Sequence, residues 1–532
     1  MLSRHLKQID HIGSRHLRVS RVRTFAVQVE SKQNNASDVD LEKARPYSEV
    51  PGPGKLELIR LFMPGGLLAK KPFFDAFREM GKTYGELFRF PGIFGKPEVI
   101  IDLNPSDYSV IFRNEGPLPY RRVFDTFVYH REKHRPEFFQ GVDGIISTSG
   151  EKWAKMRTAV NPILMQPKNA KLYLNTLLDI NNEFLERIRH IRDPSTMEVP
   201  DEFHDDINRL SFEGIAGIAL NTRLGLIQKN RDTVEGKEIM KSIRNFFLLF
   251  EELEVKPSIW KYVKTPKFYD MMKTLDSMTD ICNKYINEAL MRIEHDSEGN
   301  LTSALGKEKS VLEKLVRVDK KFAVVMALDM MIAGIDTTAS TLTGILLCIA
   351  KNPDKQQKLF VELKQILPEK DSQLTTQNMQ NLPYLRACIK EGIRRYPLFP
   401  GTMRRLPNDV VLSGYRIPAG TDICIGANMV MHDERYTSQP DKFMPERWLR
   451  NDRSAQALEA QITNPFLYVP FGFGPRSCMG KRIVNLELEV TLACLVRNFQ
   501  IEFNYPTENA FAMKFISVPQ IPLKFKFIDR GA

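Results

Sequence analysis

Cysteine is scarce: six of 532 residues, Cys282, Cys348, Cys388, Cys424, Cys478 and Cys494, with neither close pairing nor metal-ligand spacing. That excludes a disulfide framework and points to reduced thiols. Missing too is a proline-, glycine- or serine-rich linker that would divide the interior into balanced halves, so one large domain is expected despite the length. The first 29 residues hold no run of about 18 apolar residues, which excludes a membrane anchor there. They also lack an apolar core of about seven, which excludes a secretory signal.

The leader instead has six Lys or Arg (Arg4, Lys7, Arg15, Arg18, Arg21, Arg23) against one acid, Asp10, and so carries five of the eleven net positive charges. Residues 1–30 are therefore expected to be a mitochondrial transit peptide, the other reading being a basic arm that binds phosphate or lipid. Residues 31–54 turn polar and end in PGPGK, a flexible join, leaving 55–532 as the folded domain. An apolar share of 42% supplies an ample core, and a charged share of 27% suits a soluble surface. Nucleic-acid binding is the weakest class, because almost half the net charge sits in the leader.

Residues Phe471 to Gly480 read FGFGPRSCMG, and after them Ile483, Leu486, Val490 and Cys494 recur at helical spacing. Cys478 thus falls at or just before a helix N-terminus, where unpaired N–H groups and the dipole favour a thiolate, the form of sulfur that binds iron. Glycines at 472, 474 and 480 permit close approach of a flat ligand to the backbone. Arg476 adds a cation able to pair with a carboxylate.

A second feature is the almost charge-free segment Lys321 to Ala350, too interrupted by polar groups for a good membrane span and expected as a helix buried through the domain. Its centre, Ala333 to Thr338, reads AGIDTT. Glycine weakens a helix there, and buried polar groups need partners. A local distortion, with Thr337 bonding back to an earlier carbonyl, is one use for them. Elsewhere, SGEKWAKMRTAVN (Ser149 to Asn161) sets Trp153 and Arg157 four apart on one helical face, and RACIKEGIRR sets Glu391 and Arg394 three apart. LFRFPGIFGKPEVIIDL reads as two short strands, and DVVLSGYRIPAGTDICIGANM as paired strands with turns at Ser413-Gly414 and Pro418-Ala419-Gly420. SIWKYVKTPKF (Ser258 to Phe268) is either a membrane-surface loop or an ordinary exposed one.

Phe471, Gly474, Arg476, Cys478 and Gly480 together resemble the cysteine-ligand signature of the cytochrome P450 family, haem-thiolate monooxygenases. The resemblance covers about residues 55–528 and is nearest to insect mitochondrial members. It implies a mainly α fold, a large helical domain with a small β-rich region, holding haem b between the central long helix and the cysteine loop. Cys478 would be the axial iron ligand, with Phe471 and Gly480 beside the cofactor. Trp153, Arg157, Arg476 and Arg404 would meet the haem propionates, with Arg405 left as a second choice for the last. Ala333 and Gly334 would leave room over the iron, Thr337 would orient oxygen and Asp336 would serve a proton relay.

Glu391 and Arg394, with Arg447 from PERW, match the family's buried structural network. Arg386 and Lys390 on one helical face, with Lys481 and Arg482 after the cysteine loop, would receive an acidic mitochondrial ferredoxin and its NADPH reductase. The expected reaction inserts one atom of dioxygen into a lipophilic substrate, a hormone or steroid or a xenobiotic such as an insecticide. Its setting would be the matrix side of the inner mitochondrial membrane, in peripheral contact. Ile145, Ile146, Met330, Phe399 and Pro400 are candidate cavity residues. The rival readings are a haem-thiolate isomerase or dehydratase, which AGIDTT and the basic face argue against, and a non-enzymatic haem or lipid carrier.

Overall fold

The computed structural model describes residues 38–531, except 67, 70, 72, 122–123, 229–233, 299–309, 370–371, 450–461 and 463. The leader and the start of the join lie outside the described residues. Ten helices organise the site: α1 Lys55–Phe62, α2 Phe73–Tyr84, α3 Gly150–Leu164, α4 Leu174–Ile191, α5 Phe203–Leu220, α6 Val234–Phe250, α7 Pro266–Glu298, α8 Lys320–Lys351, α9 Pro383–Arg395 and α10 Lys481–Asn498. With ten short strands, they make the mainly helical fold that was expected.

α8 is the axis. Its start is set by Asp319, whose side chain accepts the Phe322 N–H at 2.7 Å, and it ends where Pro353, lacking an N–H, follows Asn352. At 32 residues it rises about 48 Å. Although it is long and apolar enough to cross a membrane, 83% of its most apolar window is covered by the protein itself, so burial in a core explains its composition. α5 packs along it most extensively, and α9 and α10 also lie against it. Their apolar faces join it in the larger of two cores.

The smaller core lies against a four-stranded sheet in the order β1-β2-β6-β3, with β1 Leu87–Phe90, β2 Val99–Asp102, β3 Thr402–Arg405 and β6 Asp422–Ile425. β2 runs parallel to β6 with Val99 opposite Asp422, while β1 and β3 pair antiparallel on either side. β4 Val410–Leu412 and β5 Tyr415–Ile417 form the hairpin expected at Ser413-Gly414, where both turn residues have positive φ, 48° and 80°. β6 does not extend that hairpin but crosses into the larger sheet. β7 Phe499–Glu502 pairs with β10 Lys526–Asp529, and β8 Phe511–Met513 with β9 Ser517–Pro519.

One expectation is corrected. The described part of the join, from Asp38, is packed rather than loose: Arg45 exchanges backbone hydrogen bonds with Gly414 and Arg416, and its guanidinium lies 3.7 Å from the Tyr415 ring. Further on, Tyr47 donates its hydroxyl to Glu98 at 2.6 Å and Pro51 accepts the Arg89 N–H at 2.7 Å. The hairpin and β1 offer unpaired edge groups, and this segment satisfies them.

Candidate functional site

The cysteine loop precedes α10, whose N-cap is Gly480. Cys478 donates its N–H to the Phe471 carbonyl at 2.8 Å, closing the loop, while the N–H groups of Gly480 and Lys481 point at its sulfur. Gly472 and Gly474 take positive φ of 69° and 75°, and a Cβ on Gly474 would meet the Glu115 carboxylate at 2.0 Å. Gly480 has ordinary helical φ, so its glycine matters for size rather than conformation. Cys478 itself is exposed, yet the protein crowded around its sulfur raises the thiol above its usual range, while those two N–H groups, Arg157 and Arg121 pull it back.

Among the described residues, four arginines from four separate segments gather around the sulfur. Arg157, on α3, donates to the Ser477 carbonyl at 2.8 Å. Arg476 donates to Thr148 O at 2.7 Å and Ser149 Oγ at 2.8 Å, and its guanidinium lies 4.2 Å from the Trp153 ring. Arg404 points inward from β3, donating to Phe473 O at 2.9 Å and to Thr402 Oγ1 at 2.8 Å, and it pairs with Glu115. Arg405 points to the opposite face and donates to both oxygens of Asp422, as strand alternation requires, so of the two neighbours Arg404 faces the cysteine loop. Arg121, not singled out in the sequence, is the fourth. Burial, then the charge of Arg404, lowers its guanidinium to about 10, and burial together with Arg121, Arg404 and Arg157 brings Arg476 to about 9.

Glu115 pairs with Arg404 and lies close to Arg476, and the four guanidinium groups outnumber it, so the cluster holds a surplus of positive charge in a largely buried place. Arg157 Nε and Arg476 Nη1 are buried with no partner in the protein. Such groups cost free energy until an anion meets them. A flat group bearing two carboxylates and an iron that prefers thiolate satisfies the orphan donors, the charge and the sulfur together, so these residues fit haem b. Most of the Arg404 guanidinium is already committed to protein acceptors.

On α8, burial is broken at one place: Ala333 is exposed and Gly334 and Thr337 are half-buried, among neighbours that are almost all buried. The Thr337 hydroxyl donates to Ala333 O at 2.6 Å, the back-bond considered above. Asp336 is buried, its Oδ1 3.3 Å from His204 Nε2 on α5, its Oδ2 without a partner.

Glu391 and Arg394 are fully buried and bidentate, at 3.0 and 2.8 Å, and Arg447 Nε reaches Glu391 at 3.1 Å. Trp448 adds an indole donor at 2.9 Å and Met444 its backbone N–H at 3.1 Å, two partners that no local pattern announced. The four expected partner-face cations divide differently. Arg386 pairs with Glu489 at 3.1 Å and donates to Gln380 O at 3.2 Å, so its charge is largely neutralised by its own fold. Lys390 lies 5.7 Å from the Trp448 ring, while Lys481 and Arg482 are exposed on the first turn of α10.

A cavity of about 440 Å³ opens between the sheet and the helices, lined by Phe124, Phe250, Phe515, Phe399, Pro400 and Met63 among others. Phe399 and Pro400 were expected there. Ile145 and Met330 belong to the large core, and Ile146 packs against it.

Comparison with known proteins agrees with this geometry. The family model described as Cytochrome P450 matches residues 51–527. The chain is 51% identical over 497 residues to "Probable cytochrome P450 12e1, mitochondrial" of Drosophila melanogaster, covering 93% of this chain and 95% of the relative. It is 48% identical over 499 residues to "Cytochrome P450 CYP12A2" of Musca domestica, covering 93% of each. "Probable cytochrome P450 12a5, mitochondrial" of Drosophila melanogaster is 45% identical, with 93% of each covered.

Proposed function

Because the chain belongs to the cytochrome P450 family, and is therefore a haem-thiolate monooxygenase, we propose that Cys478 is its iron ligand and that its substrate is a lipophilic molecule of the hormone, steroid or xenobiotic kind. The observation that carries the site assignment is the sulfur of Cys478 facing two backbone N–H groups beside a surplus of buried arginine charge. Haem, when bound, supplies oxygen activation. The chain's own part is to hold the carboxylates, with Arg157 Nε and Arg476 Nη1 as the waiting donors and Arg121 and Trp153 beside them. Arg404 acts mainly by fixing Glu115 and the loop at Phe473. Ala333, exposed on α8, would leave room for the bound group, Gly334 lets Ile215 of α5 pack close against α8, and Asp336 with Thr337 would deliver protons into an otherwise dry place.

The apolar, phenylalanine-rich cavity supports a lipophilic substrate. Met63 and Phe94 line it yet remain exposed, and Tyr262, 71% exposed, lies against Gly95 beside them, with Ile259 and Val263 exposed on the same loop. That rim supports peripheral contact with a bilayer through which such a substrate would enter. The relatives' names and the basic leader support a mitochondrial setting, residues 1–30 acting as transit peptide, and an acidic ferredoxin with its NADPH reductase as donor. The isomerase and carrier readings have no use for the buried Asp336 of α8 held by His204 of α5.

The test is Cys478→His. It should retain some haem and lose the red-shifted carbon monoxide band of thiolate ligation; an unchanged band assigns the ligand elsewhere. Screening lipophilic compounds for a spin-state change in the parent then identifies the substrate class.

A further inference from the structure

We propose that His204 is the proton-bearing partner of Asp336: the two side chains hold one proton between them, Asp336 passes it on during turnover, and His204 recovers another from solvent. This rests on the assignment of Asp336 to proton delivery.

The tautomer follows from the hydrogen bonds. Thr343 stands two turns beyond Asp336 on α8, and its Oγ1 lies 3.2 Å from His204 Nδ1. That hydroxyl donates its single proton to Ala339 O at 2.9 Å, so toward the ring it offers only lone pairs. Nδ1 must therefore carry a proton. Nε2 then faces Asp336 Oδ1 at 3.3 Å. Two lone pairs opposed in a buried place would repel, so a proton lies on Nε2 or on the carboxyl.

Asp205 is engaged by Arg244, and Asp206 by Arg187 and Arg209, so the acids next to His204 in sequence are already paired. His204 is the second residue of α5. The two ends also differ in access. The Asp336 side chain is 7% exposed and that of His204 18%, while Asp336 Oδ2 is buried without a protein partner. Oδ2 is thus the outlet and His204 the inlet. A proton leaving through Oδ2 leaves the Nε2 lone pair facing an ionised carboxylate, and a proton from hydronium or buffer acid, taken up at Nε2, restores the shared one; one enters for each that leaves, and no electrons move.

Glutamine at 204 keeps a hydrogen-bonding group but cannot carry a proton, so His204→Gln is the informative variant. The assay uses the full holoenzyme and the compound giving the parent's strongest spin-state shift. Haem content and that spectral shift should be unchanged, while product formed per NADPH falls about tenfold and hydrogen peroxide rises. In an Asp336→Asn background, His204→Gln should add no further loss. Independently of turnover, nitrogen-15 NMR of histidine-labelled protein, with His204 assigned by its absence in the variant, should show Nδ1 protonated. An unprotonated Nδ1, independent additive losses, or parental coupling in His204→Gln while Asp336→Asn is impaired each overturns the proposal and leaves the relay standing. Parental turnover and coupling in Asp336→Asn removes the relay itself, and this proposal with it.

Discussion

Arg157 Nη1 donates to the carbonyl of Ser477 at 2.8 Å, so α3 is tied to the residue that precedes Cys478 across 320 positions of sequence. One arginine thereby fixes the cysteine loop with one nitrogen and leaves Nε buried without a protein partner. Lysine has a single nitrogen and cannot both hold the loop and meet a ligand carboxylate. Arg157→Lys should therefore weaken haem retention by about tenfold or more, with secondary structure unchanged. Haem titration of stripped protein, alongside circular dichroism, checks this; parental affinity would show that the second nitrogen is idle.

Glu391 accepts from Arg394, Arg447, Trp448 and the Met444 N–H in a fully buried place. Glu391→Gln preserves shape but leaves two buried guanidinium groups without their counter-charge, at a cost of about 3–5 kcal/mol. The variant should accumulate largely without haem and melt several degrees lower. A haem-replete variant with the parental melting temperature would show that shape alone holds this corner.

Arg386 is bound to Glu489, so reversing its charge would disturb the fold before it disturbed a partner. Lys481 and Arg482 are the cleaner probes. Neutralising both to glutamine should raise the KM for ferredoxin about tenfold at low salt and flatten its salt dependence, with kcat at saturating donor nearly unchanged. Steady-state kinetics across ionic strength decides it: unaltered KM in the double variant places the partner's footprint elsewhere.

Glu487 lies in the middle of α10, and burial pushes its carboxyl up to about 8. Since the folded value lies above the unfolded one near 4.5, the folded state holds the extra proton. Its stabilisation is complete below about pH 4.5 and lost as pH rises toward 8. Glu487→Gln imitates the protonated form, so it should raise stability at pH 8 by an amount on the order of 4 kcal/mol and change it little at pH 4.5. Thermal denaturation at both pH values is the measurement. An equal effect at both would mean that packing, not ionisation, is responsible.

The sequence by itself determined the features whose cause is local. The glycines and cysteine of 471–480, the helical period after them, the polar break in α8, and the Glu391–Arg394 spacing are each written within a turn or two of chain, where backbone sterics and helix geometry act. The hairpin at Ser413-Gly414 was legible for the same reason. What only the tertiary structure decided is which distant groups share a buried place. Glu115, Arg121 and His204 have nothing distinctive around them, and each gains its electrostatic partner only from another segment. Arg386 reads as a free surface cation until Glu489 is brought beside it, and residues 38–54 read as a loose join until the open edges of β1 and the β4-β5 hairpin are there to receive them. Electrostatic and hydrogen-bond satisfaction in a core depends on proximity in space, and the four-stranded sheet alone joins strands more than 300 positions apart.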